Sequence, residues 1–344
     1  MNSIYLENKA VGDGNPCYVI AEIGGAFATF DEAKRLIDTA KTIGIDAIKF
    51  QTLEADTITT KNNYFDMEAT GKTQQYEIFK HFELSKDLQF EVVNYANKQK
   101  IPIFSAPSHM NDLKIMNEMD LQIYKIGSDL ACHIPLLKEI AKLDKPIILS
   151  TGMCTLDEVR NSVDAIISQG NSKIILMHCI SNYPSKIDEL NLESINTMKN
   201  EFDLPVGYSD HSVGIMPIFS SVVMGSNIVE KHFRDIQNSP GPDDVHSLLQ
   251  EDFEKLIYEI KNFEKSKGTG EKNPTFSEQK HKQTNRVSIV AITDIPSNAT
   301  ITEDMIDIRR PGNGIQPIHY ESLLGKKSKI EIKKEHPLEW DMIE

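Results

Sequence analysis

Eight short apolar runs, rich in β-branched residues, alternate with longer segments of helical period, and this alternation constrains the fold more than any other feature. The runs are 17–21, 46–50, 101–105, 122–126, 146–150, 173–178, 204–208 and 227–231. Helical segments between them include 31–42, opened by an acidic cap and closed by Gly44, then 85–98, and one that starts on the capping-box sequence Thr155-Leu-Asp-Glu. The eighth helix is expected at 250–265. Eight βα units in roughly 250 residues are what a (β/α)8 TIM barrel, an α/β fold, requires. An open doubly wound sheet is the rival, but no G-x-G-x-x-G follows the first run, so a dinucleotide fold loses its main support.

The ends of the chain have a different texture. Residues 1–16 read as a turn-rich lead-in that caps the barrel floor, and 17–266 as the barrel. Residues 267–284 form a polar, breaker-rich linker. From 285 to 344 short strands and turns indicate a small all-β domain, with strands at 286–291 and 304–306 around a turn at Pro296-Ser297-Asn298. So small a domain is expected to lean on something else.

Charge and cysteine usage narrow the function. Lys and Arg total 37 against 51 Asp and Glu, a formal net charge of -14. Such a chain, with no basic block, is a poor nucleic-acid binder, and an anionic substrate would have to be held by a few locally placed cations. Neither an apolar run of membrane length nor a basic leader is visible, and the four cysteines lack a C-x-x-C pair. These features point to a cytoplasmic protein with reduced thiols, and not to a membrane or disulfide-framed one.

Chemistry on a barrel sits at the C-terminal ends of its strands. In order those ends carry Glu22, Lys49 with Gln51, Ser105, Lys125 with Ser128, Ser150-Thr151-Gly152, His178, Ser209-Asp210-His211 and Glu230-Lys231-His232. A barrel built for stability alone has no use for polar residues there, so the pattern indicates an enzyme. His211 and His232 follow adjacent strands, with Glu22 on the next, an arrangement suited to a divalent metal with open positions. His178 is either a third ligand or a neighbour, while the remaining histidines lie in loops or helices and carry no such signal. Lys49 and Lys125 interrupt strands otherwise fit for burial, and a lone buried ammonium costs several kcal/mol. They therefore clamp an anion with the nearby hydroxyls, or one forms a Schiff base, or they pair with internal glutamates. The loop Ser239-Pro-Gly-Pro-Asp243 offers Asp243 and Asp244 to sugar hydroxyls, and Arg309-Arg310-Pro-Gly marks a tight turn in the small domain.

With these residues in place the chain resembles the sialic acid synthase family, which includes N-acetylneuraminate, legionaminic and pseudaminic acid synthases. The carrying motifs are Ala21-Glu-Ile-Gly24, Lys49-Phe-Gln-Thr52, Tyr124-Lys-Ile-Gly-Ser128, Leu149-Ser-Thr-Gly-Met153, Tyr208-Ser-Asp-His211, Glu230-Lys-His-Phe233, Pro240-Gly-Pro-Asp243 and Arg310-Pro-Gly312. The resemblance implies a TIM barrel followed by an antifreeze-like SAF (β-clip) domain, in a domain-swapped homodimer. It implies metal-dependent condensation of phosphoenolpyruvate with an N-acetylmannosamine-type sugar, N-acetylneuraminate synthesis first and legionaminic or pseudaminic acid synthesis as the alternative. His211 and His232 would hold Mn2+ or Mg2+, and Lys49, Lys125, Ser128, Thr151, Gly152 and Ser209 would surround phosphoenolpyruvate. Glu22, Gln51, Tyr183 and Asp243 would meet the sugar, Arg310 its acyl group, and Glu230 would be the acid near the metal. Three segments depart from the family pattern: Gly25-Ala-Phe-Ala-Thr29, Ser105-Ala-Pro-Ser108 and Gly127-Ser-Asp-Leu130.

Overall fold

Runs such as Ile147–Ser150 and Ile174–Cys179 lack a polar face, the mark of strands covered on both sides, and every residue in them is buried. The computed structural model describes residues 3–67, 71–238 and 240–344 and divides into two units, Met1–Lys267 and Gly268–Glu344. Met1 and Asn2 of the lead-in and Ser239 of the loop after the eighth run lie outside the described residues.

In the first unit eight parallel strands close in chain order: β1 Tyr18–Glu22, β2 Ala47–Thr52, β3 Ile103–Pro107, β4 Tyr124–Ile126, β5 Ile147–Ser150, β6 Ile174–Cys179, β7 Val206–Asp210 and β8 Ile228–His232. The barrel expectation holds, and each strand lies within two residues of its apolar run. The helix Phe30–Ile43 opens on a capping box of Thr29 and Glu32, not on the acidic cap expected, because the Thr29 side chain accepts from Glu32 N–H while Glu32 reaches back. It ends at Gly44, whose φ of 83° suits a residue without a side chain. Capping at Ser85 and the box at Thr155 follow the sequence, and the eighth helix runs over Gln250–Lys267. Between β2 and β3 the chain inserts a hairpin of Tyr64–Met67 with Gly71–Gln74, flanked by helices Ala55–Ile58 and Gln75–Phe82.

Strand pleating sorts side chains into two sets. Outward ones, such as Ile48, Phe50, Tyr124, Leu149, Leu176 and Tyr208, pack under the helices. Inward ones near the strand starts, Tyr18, Ile20, Ala47, Phe104, Ile148, Ile175 and Ile228, form a separate apolar cluster with Ile4, Leu6 and Val11. Those last three come from an antiparallel hairpin, Ile4–Leu6 with Lys9–Val11, so the lead-in seals the barrel floor with apolar side chains. Polar inward residues are thereby left to the opposite end.

In the second unit the strand Ser288–Ala291 pairs antiparallel with Ile306–Arg309. Residues 303–305 form a 3-10 turn, so the second strand begins later than the sequence suggests. Ile289, Ile295, Ile301, Ile306, Ile332 and Leu338 are among the members of its own core. The segment read as linker contains a helix, Phe276–Asn285, capped by a Thr275–Glu278 box. Its side chains are mostly polar and exposed, which hid it from a search for apolar periodicity. No described helix is long and apolar enough to cross a membrane.

Leu6 is 1% exposed and Tyr5, one residue away on the same hairpin, is 63% exposed. Leu6→Ala should therefore lower the unfolding free energy by about 2–5 kcal/mol, and Tyr5→Ala by about 0.5 kcal/mol or less. Urea denaturation of the two variants checks this.

Candidate active site

Residues paired across a parallel sheet share a face, so register alone assembles the barrel mouth. His232 on β8 is level with Glu22 on β1, and Glu22 with Lys49 on β2. One step down, Ser209 on β7 is level with Glu230 on β8, and Cys179 on β6 with Ser209. Lys125 on β4 completes the ring, 2% exposed.

The two ammonium groups meet internal carboxylates. Lys49 Nζ lies 2.5 Å from Glu22 Oε2 and 3.1 Å from Glu230 Oε1, while Lys125 Nζ donates to both oxygens of Glu230 at 2.8 and 3.0 Å. Ser209 donates to Glu230 Oε1 at 3.1 Å. Of the alternatives for these lysines, the geometry forms the internal pairs, yet on the inward face at the functional end of the strands. Burial pushes both carboxyls up, but the outcome differs. Lys125 and Lys49 hold Glu230 below the usual carboxylate range, whereas burial prevails at Glu22, with the Glu230 charge adding to it and Lys49 opposing. Burial pulls Lys125 down against the attraction of Glu230.

Beside this quartet lies a cluster of rings. The ring centroids of His211 and His232 are 5.5 Å apart, and His246 stands 4.9 Å from His232 and 5.8 Å from His211. Asp243 stands between two of them, with Oδ2 at 3.6 Å from His232 Nδ1 and Oδ1 at 3.5 Å from His246 Nε2. Burial keeps all three imidazoles neutral at neutral pH, His211 down at about 4 and His246 at about 3. Neutral imidazole is the form that binds metal. His211 Nδ1 is 3.0 Å from the Ile180 carbonyl, which fixes the tautomer with Nε2 unprotonated. His246 Nε2 is buried and has no hydrogen-bond partner among the described residues. Three neutral imidazoles, one with an orphaned ring nitrogen, and the Asp243 carboxyl, which burial pushes up to about 7, make a donor set that fits a divalent ion. Ligand atoms of His232, Asp243 and His246 all lie within 4.8 Å of one another.

The other predicted residues divide. Gln51 Nε2 reaches Glu22 Oε1 at 3.5 Å, and Gly24 N–H donates to the same oxygen at 2.6 Å. Ser128 Oγ accepts from Gly152 N–H at 2.9 Å, and a side chain on Gly152 would collide with the hydroxyls of Ser128 and Ser181. The Ser150 hydroxyl is buried without a partner among the described residues. The Thr151 hydroxyl instead donates to the Met177 carbonyl at 3.0 Å, spending its proton on the barrel wall. Tyr183 packs its ring 4.2 Å from His211 and lines a cavity of about 500 Å³ with Pro184, Ile187 and Val213. Arg310 belongs to the second unit and is exposed. His178 is not among the clustered imidazoles. It alternates with the inward Met177, stacks on Tyr208 and places Nε2 2.7 Å from the Leu190 carbonyl, so the third-ligand option fails. His246, passed over in the sequence, is the third ring of the cluster; its only sequence signal is proximity to Asp243 in a short Pro/Gly loop.

Comparison with known proteins agrees with this architecture. A model of the NeuB family matches residues 36–272, and one of the SAF domain matches residues 286–344. An uncharacterized protein of Methanocaldococcus jannaschii is 37% identical over 342 residues, 99% of this chain and 98% of its own length. The N,N'-diacetyllegionaminic acid synthase of Legionella pneumophila is 34% identical over 345 residues, 98% of this chain and 97% of its own. The crystal structure of an N-acetylneuraminic acid (sialic acid) synthetase from Leptospira borgpetersenii, in complex with citrate, aligns with a TM-score of 0.71 at 31% identity, covering 81% of this chain and 95% of that one.

Glu230 neutralises two buried ammonium groups, so Glu230→Gln should leave them undercompensated and lower stability by about 3–5 kcal/mol. Urea unfolding at neutral pH measures the loss; a change below about 1 kcal/mol would contradict the shared-pair geometry.

Proposed function

The chain belongs to the NeuB family, and from that premise we propose that it condenses phosphoenolpyruvate with an open-chain N-acylated amino sugar to give a nonulosonic acid and phosphate. One observation carries this reading: paired inward lysines, Lys49 and Lys125, lie next to a cluster of neutral imidazoles at the same strand ends. The lysines orient the carboxylate and phosphate of phosphoenolpyruvate, exchanging part of their contact with Glu22 and Glu230 for the substrate's own anions. Ser128 and Ser150 line the same end and supply hydroxyl donors, Ser209 holds Glu230 in place, and Gly152 allows close approach of the chain. Tyr183 and Gln51 flank the sugar.

A divalent ion at the imidazole cluster that includes His211 and His232, Mn2+ or Mg2+, would supply Lewis-acid polarisation of the sugar aldehyde. C3 of phosphoenolpyruvate then forms a bond to the aldehyde carbon, whose oxygen takes up a proton. Water adds at C2, losing its proton, and the carbon–oxygen bond to phosphate breaks as the keto group forms. Glu22, level with His232 and held by Gly24 N–H, is the proton-handling group. A domain-swapped homodimer, with Arg310 from a second copy meeting the acyl group, belongs to the same reading.

Of the acceptors, N-acetylmannosamine follows from the sequence resemblance. A diacetamido-trideoxy hexose is the alternative, and the cavity beside Tyr183 offers both parts of an acetamido group a wall, apolar at Pro184, Ile187 and Val213 and polar at Asn182, Ser185 and Lys186. The likeness to the Legionella legionaminic acid synthase favours this alternative.

Purified protein given phosphoenolpyruvate, Mn2+ and each sugar should release phosphate fastest with the diacetamido-trideoxy hexose. N-acetylmannosamine winning the panel would restore the first acceptor, and failure with every sugar would refute the reading. Chelation with EDTA should stop release, and a borohydride-trapped pyruvate adduct on Lys49 or Lys125 would replace the mechanism with Schiff-base chemistry. Glu22→Gln should lower kcat by about 10²–10⁴-fold while its thermal transition confirms a folded protein.

A further inference from the structure

The loop after β8 brings a histidine to the mouth that no strand end predicts. His246 is 2% exposed, although it sits outside the regular elements of the barrel. Burying an imidazole nitrogen without a hydrogen bond is unfavourable, and Nε2 of His246 is such an atom. That nitrogen faces Asp243 Oδ1 at 3.5 Å, too long for a hydrogen bond. The other oxygen of Asp243 stands off His232 Nδ1 in the same way, at 3.6 Å. Two rings and a carboxylate thus converge without closing bonds among themselves. With one donor atom taken from each residue, all three lie within 4.8 Å of one another, so a small closure brings each to about 2.1 Å from a central ion.

Backbone structure holds the arrangement. His246 N–H donates to the Asp243 carbonyl at 3.2 Å, and Ser247 donates to the same carbonyl through its N–H at 3.0 Å and its hydroxyl at 2.7 Å. Leu248 then docks its N–H on the His232 carbonyl at 2.8 Å. The loop is therefore tied at one end to the strand residue that contributes the first ring, and it returns the second ring to the same spot.

Resting on the reading that a divalent ion binds at this imidazole cluster, we propose that His246 is itself a metal ligand, forming with His232 and Asp243 a two-imidazole, one-carboxylate face beside His211. The positions opposite that face stay open to substrate. A donor set this rich in nitrogen favours transition ions over Mg2+, because imidazole suits the former and all-oxygen sets the latter.

The test reads metal binding, not turnover. Co2+ is titrated into metal-free protein, followed by visible absorption and by calorimetry, for the wild type, His246→Gln, His232→Gln and His211→Gln. Thermal unfolding in EDTA establishes that each variant is folded, and the Asn substitution at the same position replaces any that is not. The proposal expects one Co2+ per chain in the wild type, Mg2+ binding weaker than Co2+, and a loss in His246→Gln at least as large as the roughly 10–100-fold that removing a mere supporting partner costs. The absorption bands of any Co2+ still bound should shift. His246→Gln binding Co2+ with unchanged affinity and spectrum, while His232→Gln loses it, would overturn this inference and leave the two-histidine site standing. Unchanged binding in the His232 and His211 variants as well, or none in the wild type, would remove the metal reading and this inference with it.

Discussion

Two ammonium groups and two carboxylates buried inside one closed sheet set the terms for everything else at the barrel mouth. Placing any one of these charges there alone costs several kcal/mol, so each survives only through its neighbours. Glu230 is the pivot, accepting from Lys125, Lys49 and Ser209 at once. Glu22 is bound to Lys49 but also carries Gly24 N–H on its other oxygen, which ties the charge network to the turn after β1. The arrangement suits an anion-binding site because the lysines are already oriented inward. Their fixed carboxylate partners can share them with a substrate without a new cation entering the barrel.

That network depends on the apolar floor beneath it. Ile4, Leu6 and Val11 close the bottom against Tyr18, Ile20 and Ile228, so inward polar groups are confined to one end and to a water-poor setting that strengthens each contact. A second buried pair, Lys231 with Asp210 at 2.7 Å, lies on the alternate face of the same two strands. Adjacent residues of β8 therefore serve opposite sides of the sheet. Glu230 and His232 face the chemistry, and Lys231 between them braces the strand against β7.

Strand periodicity made the barrel legible, since eight apolar runs with polar ends have few other solutions. It also made Lys49 and Lys125 visible as intruders in apolar runs and Glu22 and Glu230 as polar strand ends, though not who would pair with whom. Pairing depends on register and on which strands lie across the barrel, and neither is encoded locally. Thr151 shows the limit: a hydroxyl at a strand end reads as a substrate donor, but the turn after β5 points it at the Met177 carbonyl. His178 fails in a related way, because the alternation of β6 sends it outward while Met177 faces the floor cluster. The helix Phe276–Asn285 was announced by Thr275 and Glu278, a cap signal outweighed by the polar composition around it.

His246 was hidden for a different reason. Nothing periodic marks it, and its position is fixed by a loop whose ends are held by Asp243 and His232 main-chain carbonyls. Asp243 consequently has two roles to reconcile, a sugar contact by family resemblance and a neighbour of two imidazoles by geometry. The roles are compatible if one carboxylate oxygen serves the ion and the other a sugar hydroxyl, since an ionised carboxylate offers about four acceptor sites. A sugar anchored through Asp243 would then be positioned by the same residue that positions the ion, so the distance between the aldehyde and the metal would be set by one side chain.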